Sequence, residues 1–156
     1  NLLNLKTLVI DANPLVSLEG ISKLKNLEVL NLSGCKIRTG FKALIGLENL
    51  TSLDVTANSI TNFEPFISLT KLTYLNLTDN NLKSLSGIEK LTALEQLYLT
   101  GNNVKDITPL LGLKNLKTIY LNKLSEADLK KLKKALPNCK IDDSYYGSSA
   151  QVAEVN

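Results

Sequence analysis

Histidine, methionine and tryptophan are all missing from this 156-residue chain, and only two cysteines and four prolines occur. Without histidine the commonest general base and metal ligand is gone. Neither a Ser–His–Asp nor a Cys–His arrangement can be assembled. Cys35 and Cys139 stand far apart, so no zinc-type pair is present, and there is no glycine-rich phosphate loop. The carboxylates Asp11, Asp54 and Asp79 are scattered rather than paired. No apolar run approaches the length of a bilayer span, and the first residues carry no signal-peptide pattern. We therefore expect no enzyme activity, no cofactor or metal, and no membrane insertion. The formal charge is nearly balanced at +3. The one basic run, Lys130, Lys131, Lys133 and Lys134, has no interleaved aromatics and reads as the solvated face of a helix. Nucleic acid is not an expected partner.

What the chain has in quantity is leucine, in a fixed rhythm. Leu5, Leu8, Ile10, Asn13 and Leu15 recur 22 residues on as Leu27, Leu30, Leu32, Cys35 and Ile37. One added residue enters near Gly40 and Phe41, and the pattern resumes as Leu50, Leu53, Val55, Asn58 and Ile60. Two more copies follow at steps of 22, opening at Leu72 and Leu94 and placing Asn80 and Asn102 in the same position. A sixth opens with Leu116, Ile119 and Leu121 and departs where Asn would fall, at Leu124. A period of this length denotes a solenoid, because a 22-residue unit cannot close a core and must stack on its neighbours.

Within each unit two apolar residues separated by one, such as Leu75 and Leu77, point to one side of a short strand, and Tyr74, Asn76 and Thr78 to the other. Stacking such units makes the strands parallel. Parallel sheets are usually covered on both faces, but this alternation leaves one face open to water. Six parallel strands are expected, centred on Leu8, Leu30, Leu53, Leu75, Leu97 and Ile119. Asn13, Asn58, Asn80 and Asn102 fall where the chain turns inward and leaves backbone groups in need of partners. An amide, with donors and an acceptor, can serve adjacent turns as a ladder. The return half of each unit carries Pro14, Pro65, Pro109, Gly20, Gly46, Gly87 and Gly112 without helical periodicity, which predicts short extended or 3₁₀ pieces. The added residue should be absorbed there, around Gly40.

The motif LxxLxLxxNxI, seen in LTYLNLTDNNL and LEQLYLTGNNV, resembles the leucine-rich repeat family over about 140 residues. The second half of the unit, as in VKDITPLLGLKN, is similar to the short bacterial class of internalin-like surface proteins. Eukaryotic protein phosphatase regulators share the 22-residue spacing. The resemblance implies an α/β solenoid: a right-handed coil with a parallel concave sheet, an irregular or 3₁₀ convex side and a C-terminal capping helix. It also implies a non-catalytic interaction module, secreted or at a bacterial cell surface. The alternatives are a structural spacer between flanking domains or a cytoplasmic regulatory subunit of an enzyme.

Residues 1–123 are read as repeats, 124–141 as the cap and 142–156 as a flexible tail or linker. The chain opens on Asn1, and NLLN matches the last residues of a preceding unit. It is therefore read as a processed product or a piece of something longer. Either upstream sequence or another contact is expected to cover Leu2, Leu3 and Leu5, since an open solenoid end exposes core and strand edge. At the other end Ser125 and Asp128 begin a capping box. Leu129, Leu132 and Leu136 form one stripe, and Pro137 ends the helix. Cys35 and Cys139, four strand spacings or roughly 19 Å apart, are too distant for a disulfide and are expected to be buried thiols.

Function is left to the side chains held out on the concave face. Most are small and neutral, but Tyr74, Tyr98 and Tyr120 fall in adjacent columns of three consecutive units. At strand spacings of roughly 4.8 Å their rings should form one patch. Tyrosine offers apolar area and a hydroxyl at low entropic cost. A protein partner is expected to dock there, with Asn76, Gln96 and Asn122 supplying hydrogen bonds around the rings. The competing reading is that aromatics simply favour strands and cover one another.

Overall fold

Every turn of the coil contributes one short strand, and the strands lie side by side in chain order. The computed structural model describes residues 2–145. Strands β1 Thr7–Val9, β2 Val29–Asn31, β3 Ser52–Asp54, β4 Tyr74–Asn76, β5 Gln96–Tyr98, β6 Thr118–Asn122 and β7 Lys140–Tyr145 form a single sheet in the order β1 to β7. Every neighbouring pair is parallel. The register joins Leu8, Leu30, Leu53, Leu75, Leu97 and Ile119 in one row, continued by Ile141. The six strands read from the sequence are all present at their centres.

The seventh strand is a correction. β7 runs across the boundary drawn between cap and tail at residue 141, because Ile141 continues the apolar row and Asp143 holds the strand in place. Asp143 Oδ2 accepts from the Leu124 amide at 3.3 Å and pairs with Lys123 Nζ at 3.6 Å. The rest of the segment read as a tail, 146–156, lies outside the described residues.

The convex side is built from 3₁₀ turns, including Ile21–Lys23, Phe41–Leu44, Glu64–Phe66, Ile88–Lys90 and Thr108–Gly112. Pro65 and Pro109 are the second residues of two of them, in the first turn where a missing N–H costs little. Gly87 starts another at φ 98°, and a Cβ there would run into the Ile67 side chain. The second unit, with its added residue, carries the 3₁₀ turn Phe41–Leu44 after Gly40, and the Leu30–Leu53 register is intact. Phe41, Phe63 and Phe66 fill the core beneath that region, with ring centroids 5.5 and 6.1 Å apart.

The asparagine ladder is continuous through the middle of the coil. Asn80 donates to the carbonyls of Leu77 (3.0 Å) and Thr78 (3.1 Å) in its own turn and of Val55 (3.0 Å) in the turn before, while its Oδ1 accepts from the Ile60 amide at 3.0 Å. Asn58 and Asn102 repeat this arrangement, and all three are buried. Cys35 is buried in the same column and reaches the Ile10 carbonyl through Sγ at 3.0 Å. Asn13 differs: it is exposed and bonds only within its own turn, to Asp11 and Ile10 carbonyls. In the described residues no earlier turn lies beside it. Leu2 and Leu3 at that edge are 69% and 47% exposed, and Leu5 is half-buried.

The cap is helix α1, Glu126–Ala135. The Ser125 hydroxyl accepts from the Asp128 amide at 3.1 Å, the expected N-terminal cap. Lys114 Nζ donates to the Ala135 carbonyl at 2.8 Å, placing a cation at the helix C-terminus. Leu132 and Leu136 are buried, whereas Leu129 is half-buried. Cys139 is also only half-buried, against the expectation of two buried thiols, because it lies past the helix at the rim of the last turn. Partial burial pushes its thiol pKa up.

Two stability outcomes follow from these contacts, both measurable by urea unfolding. Asn80→Ala orphans the buried Ile60 amide and takes one donor from the Val55, Leu77 and Thr78 carbonyls, each of which keeps another partner; it should cost roughly 2–3 kcal/mol, whereas Asn13→Ala should cost about 1 kcal/mol at most. Leu132→Ala should cost roughly 2–4 kcal/mol, Leu129→Ala less, and alanine at Lys130, Lys133 or Lys134 about 0.5 kcal/mol or less.

Candidate functional site: the concave face

Alternation along each strand sends the residues flanking the inward leucine out onto the open face. One column there reads Thr7, Val29, Ser52, Tyr74, Gln96 and Thr118; the next reads Val9, Asn31, Asp54, Asn76, Tyr98 and Tyr120. Because the register is strict, side chains from sequence-distant units meet as neighbours. Tyr98 and Tyr120 stack with ring centroids 4.9 Å apart and 9° between planes. Tyr74 leans on Tyr98 at 5.5 Å and 46°. The three rings predicted to form one patch do so, each half-buried.

The polar residues placed around them divide into two groups. Asn76 Nδ2 donates to Asp54 Oδ2 at 3.3 Å and to the Tyr74 hydroxyl at 3.4 Å, and its Oδ1 accepts from the Thr78 amide at 3.0 Å. Gln96 is exposed, and its Oε1 accepts from the Tyr98 hydroxyl at 3.4 Å. These two border the rings. Asn122 is committed elsewhere. Its Oδ1 accepts from the Gly101 amide and its Nδ2 donates to the Asn102 carbonyl, both at 2.8 Å. It secures the turn of the preceding unit, where Leu124 has replaced the ladder asparagine. A small, mostly apolar pocket of about 40 Å³ lies at that place, lined in part by Asn102, Val104 and Leu124.

Burial raises the Tyr74 pKa above its ordinary value, opposed by the Asn76 hydrogen bond and reinforced by the nearby Asp54 charge. The hydroxyl accepts from Asn76 and, like any tyrosine's, is protonated at neutral pH. Sequence reasoning missed Asp142, which β7 carries into the column of Tyr98 and Tyr120 as the register partner of Tyr120. Hydrogen bonds from the Ser144 hydroxyl (2.7 Å) and amide (3.1 Å) lower its pKa. The signal was there to read: Ile141 follows Ile119 by the same 22 residues, although no second apolar residue completes the pair.

Among the described residues no group of three or more Cys, Asp or Glu is placed to hold a metal ion, and the face offers rings, amides and hydroxyls on a rigid sheet.

Comparison with known proteins agrees with this architecture. A leucine-rich repeat model matches residues 3–60 and 48–104, and a model for paired leucine-rich repeats matches 92–134. Among solved structures, internalin C2 of Listeria monocytogenes is similar at 27% identity and a TM-score of 0.72, over 97% of this chain and 77% of that one. A second internalin of Listeria monocytogenes matches at 28% identity and a TM-score of 0.66, over 88% of this chain and 46% of its own length. A leucine-rich repeat protein of Leptospira interrogans matches at 27% identity and 0.66, over 78% of this chain and 38% of its own. This chain thus spans most of internalin C2 but less than half of the other two. No curated protein matches it in sequence. Coils of this kind are typically non-enzymatic modules for protein interaction. With the family's motif matched from residue 3 to residue 134 and its parallel coil in place, the chain belongs to the leucine-rich repeat family and is internalin-like in its build.

Proposed function

We propose that the chain recognises a protein partner at a bacterial cell surface, through the concave patch of Tyr74, Tyr98 and Tyr120. The observation that carries this reading is the contiguous three-ring cluster on an otherwise small and polar sheet. Aromatic anchors flanked by polar groups are the arrangement found at interface centres. Asn76 and Gln96 at the border of the rings supply hydrogen bonds to the partner, while Asn122 acts indirectly by holding the turn beside Tyr120. The internalin-like relatives support a surface or secreted location. No helix among the described residues is long and apolar enough to cross a membrane.

A spacer between flanking domains is the second reading, favoured by the stacking of Tyr98 on Tyr120, which covers ring area that a partner would otherwise use. The two readings separate on one experiment. The partner is captured by cross-linking to the chain on cells and identified by mass spectrometry, and its affinity is then measured for wild type and for tyrosine variants. Alanine at any one anchor should weaken binding by about 1–3 kcal/mol, and the triple alanine variant should abolish it. Far-UV circular dichroism should be unchanged, because the rings lie outside the leucine core. Unchanged affinity in the triple variant would contradict the proposal.

A further inference from the structure

The chain is positively charged overall, but the concave face is not. Along the outward columns of the seven strands the charged residues are Asp54 and Asp142, with Lys140 alone of the opposite sign, and Asp11 follows in the turn after β1. The ring cluster lies between two of these carboxylates: Asp54 stands one strand before Tyr74, and Asp142 one strand after Tyr120. Both keep acceptor capacity. Asp54 receives the Thr56 amide at 2.9 Å on Oδ1 and the Asn76 amide at 3.3 Å on Oδ2. Asp142 takes both Ser144 bonds on Oδ1 alone. An ionised carboxylate has about four lone-pair sites, so each can receive another donor.

The stacking makes one ring face special. Tyr98 covers one face of Tyr120, so the opposite face turns toward β7, where the register partner is Asp142. A π-face beside a carboxylate is the environment of a desolvated cation, since a guanidinium within about 6 Å of the ring centroid is attracted by the quadrupole and can also bond the carboxylate in a fork.

On the premise that the concave patch is a binding face, we propose that its ligand is an extended protein segment carrying two arginine or lysine side chains about six residues apart. One cation sits between the outer face of Tyr120 and Asp142; the other meets Asp54 beside Tyr74. The spacing comes from the sheet. β3 and β7 are four strand steps apart, about 19 Å. An extended chain crossing the strands advances about 3.3 Å per residue and covers that span in about six residues. An even number matters, because alternation then places both cations on the side facing the sheet.

The probe is the heptapeptide Arg-Ser-Thr-Ser-Thr-Ser-Arg with blocked ends, titrated into the isotopically labelled chain and followed by amide chemical shifts. Saturable shifts are expected at Tyr98, Tyr120, Asp142 and Asp54. The affinity should fall at least tenfold in the Asp54→Asn, Asp142→Asn double variant, and it should weaken as salt is raised. A peptide with both arginines replaced by glutamate should not bind. Absence of saturable shifts on the concave face would overturn the proposal, as would equal binding to the double variant. If the glutamate peptide shifts the same amides as strongly, the cationic ligand class is wrong while the concave binding face stands. If the captured partner ignores the triple tyrosine variant, the face itself is wrong.

Discussion

The inward turn that follows each strand is the constraint on which the coil depends. Strands can be brought into register only if the chain dives into the core after each of them, and that dive buries backbone amides and carbonyls in leucine. Unpaired, each buried group would cost about 1–3 kcal/mol. Asn58, Asn80 and Asn102 prevent this by bonding carbonyls in two successive turns and accepting an amide from the earlier one. Each asparagine therefore does two things at once: it closes its own turn and ties that turn to its neighbour. The same side chain at the same place in the third, fourth and fifth units fixes the repeat distance there, and the leucine column then packs without adjustment.

From this follows the division of labour on the strand. The inward residue is committed to packing and the following turn to the ladder, so the outward side chains are less constrained and differ from unit to unit, although Asn31, Asp54 and Asn76 still accept the amide two residues on. That freedom is visible in the middle outward column, which passes from Val9 through Asn31, Asp54 and Asn76 to Tyr98 and Tyr120 while the inward row stays leucine or isoleucine. Where the ladder ends, the division breaks down. Leu124 cannot accept a backbone amide, a small pocket opens beside it, and Asn122 is drawn from the outward column to secure the previous turn. A residue that looks functional by its column is structural by its bonds.

Most of the fold was legible in the sequence because a period of 22 repeated five times states strand position, facing and order together. The ring cluster was legible for the same reason, since strict register converts column membership into contact. Three features were not. β7 carries one inward isoleucine, Ile141, and the acidic pair Asp142 and Asp143, so it lacks the two-leucine signature that marks the other strands. Asn122 belongs by spacing to the concave face, and only its hydrogen bonds show that it faces along the turn. A second set of amides, Asn26, Asn49 and Asn115, bonds carbonyls of the preceding unit at the strand entrance. Lys71 and Ala93 interrupt that column, which hid it as a pattern.

The most direct test is native-state amide hydrogen exchange on the intact chain. The amides of Ile37, Ile60 and Leu82 lie in the loops after the strands, where exchange would ordinarily be fast, but each donates to a buried asparagine of the next unit. If the ladder is what holds the coil together, these three should exchange as slowly as the strand amides of Leu53 and Leu75, through cooperative opening of stacked units. Rates typical of a mobile loop at Ile60 and Leu82, with the strand amides still protected, would show that the leucine core holds without the ladder and would contradict the account.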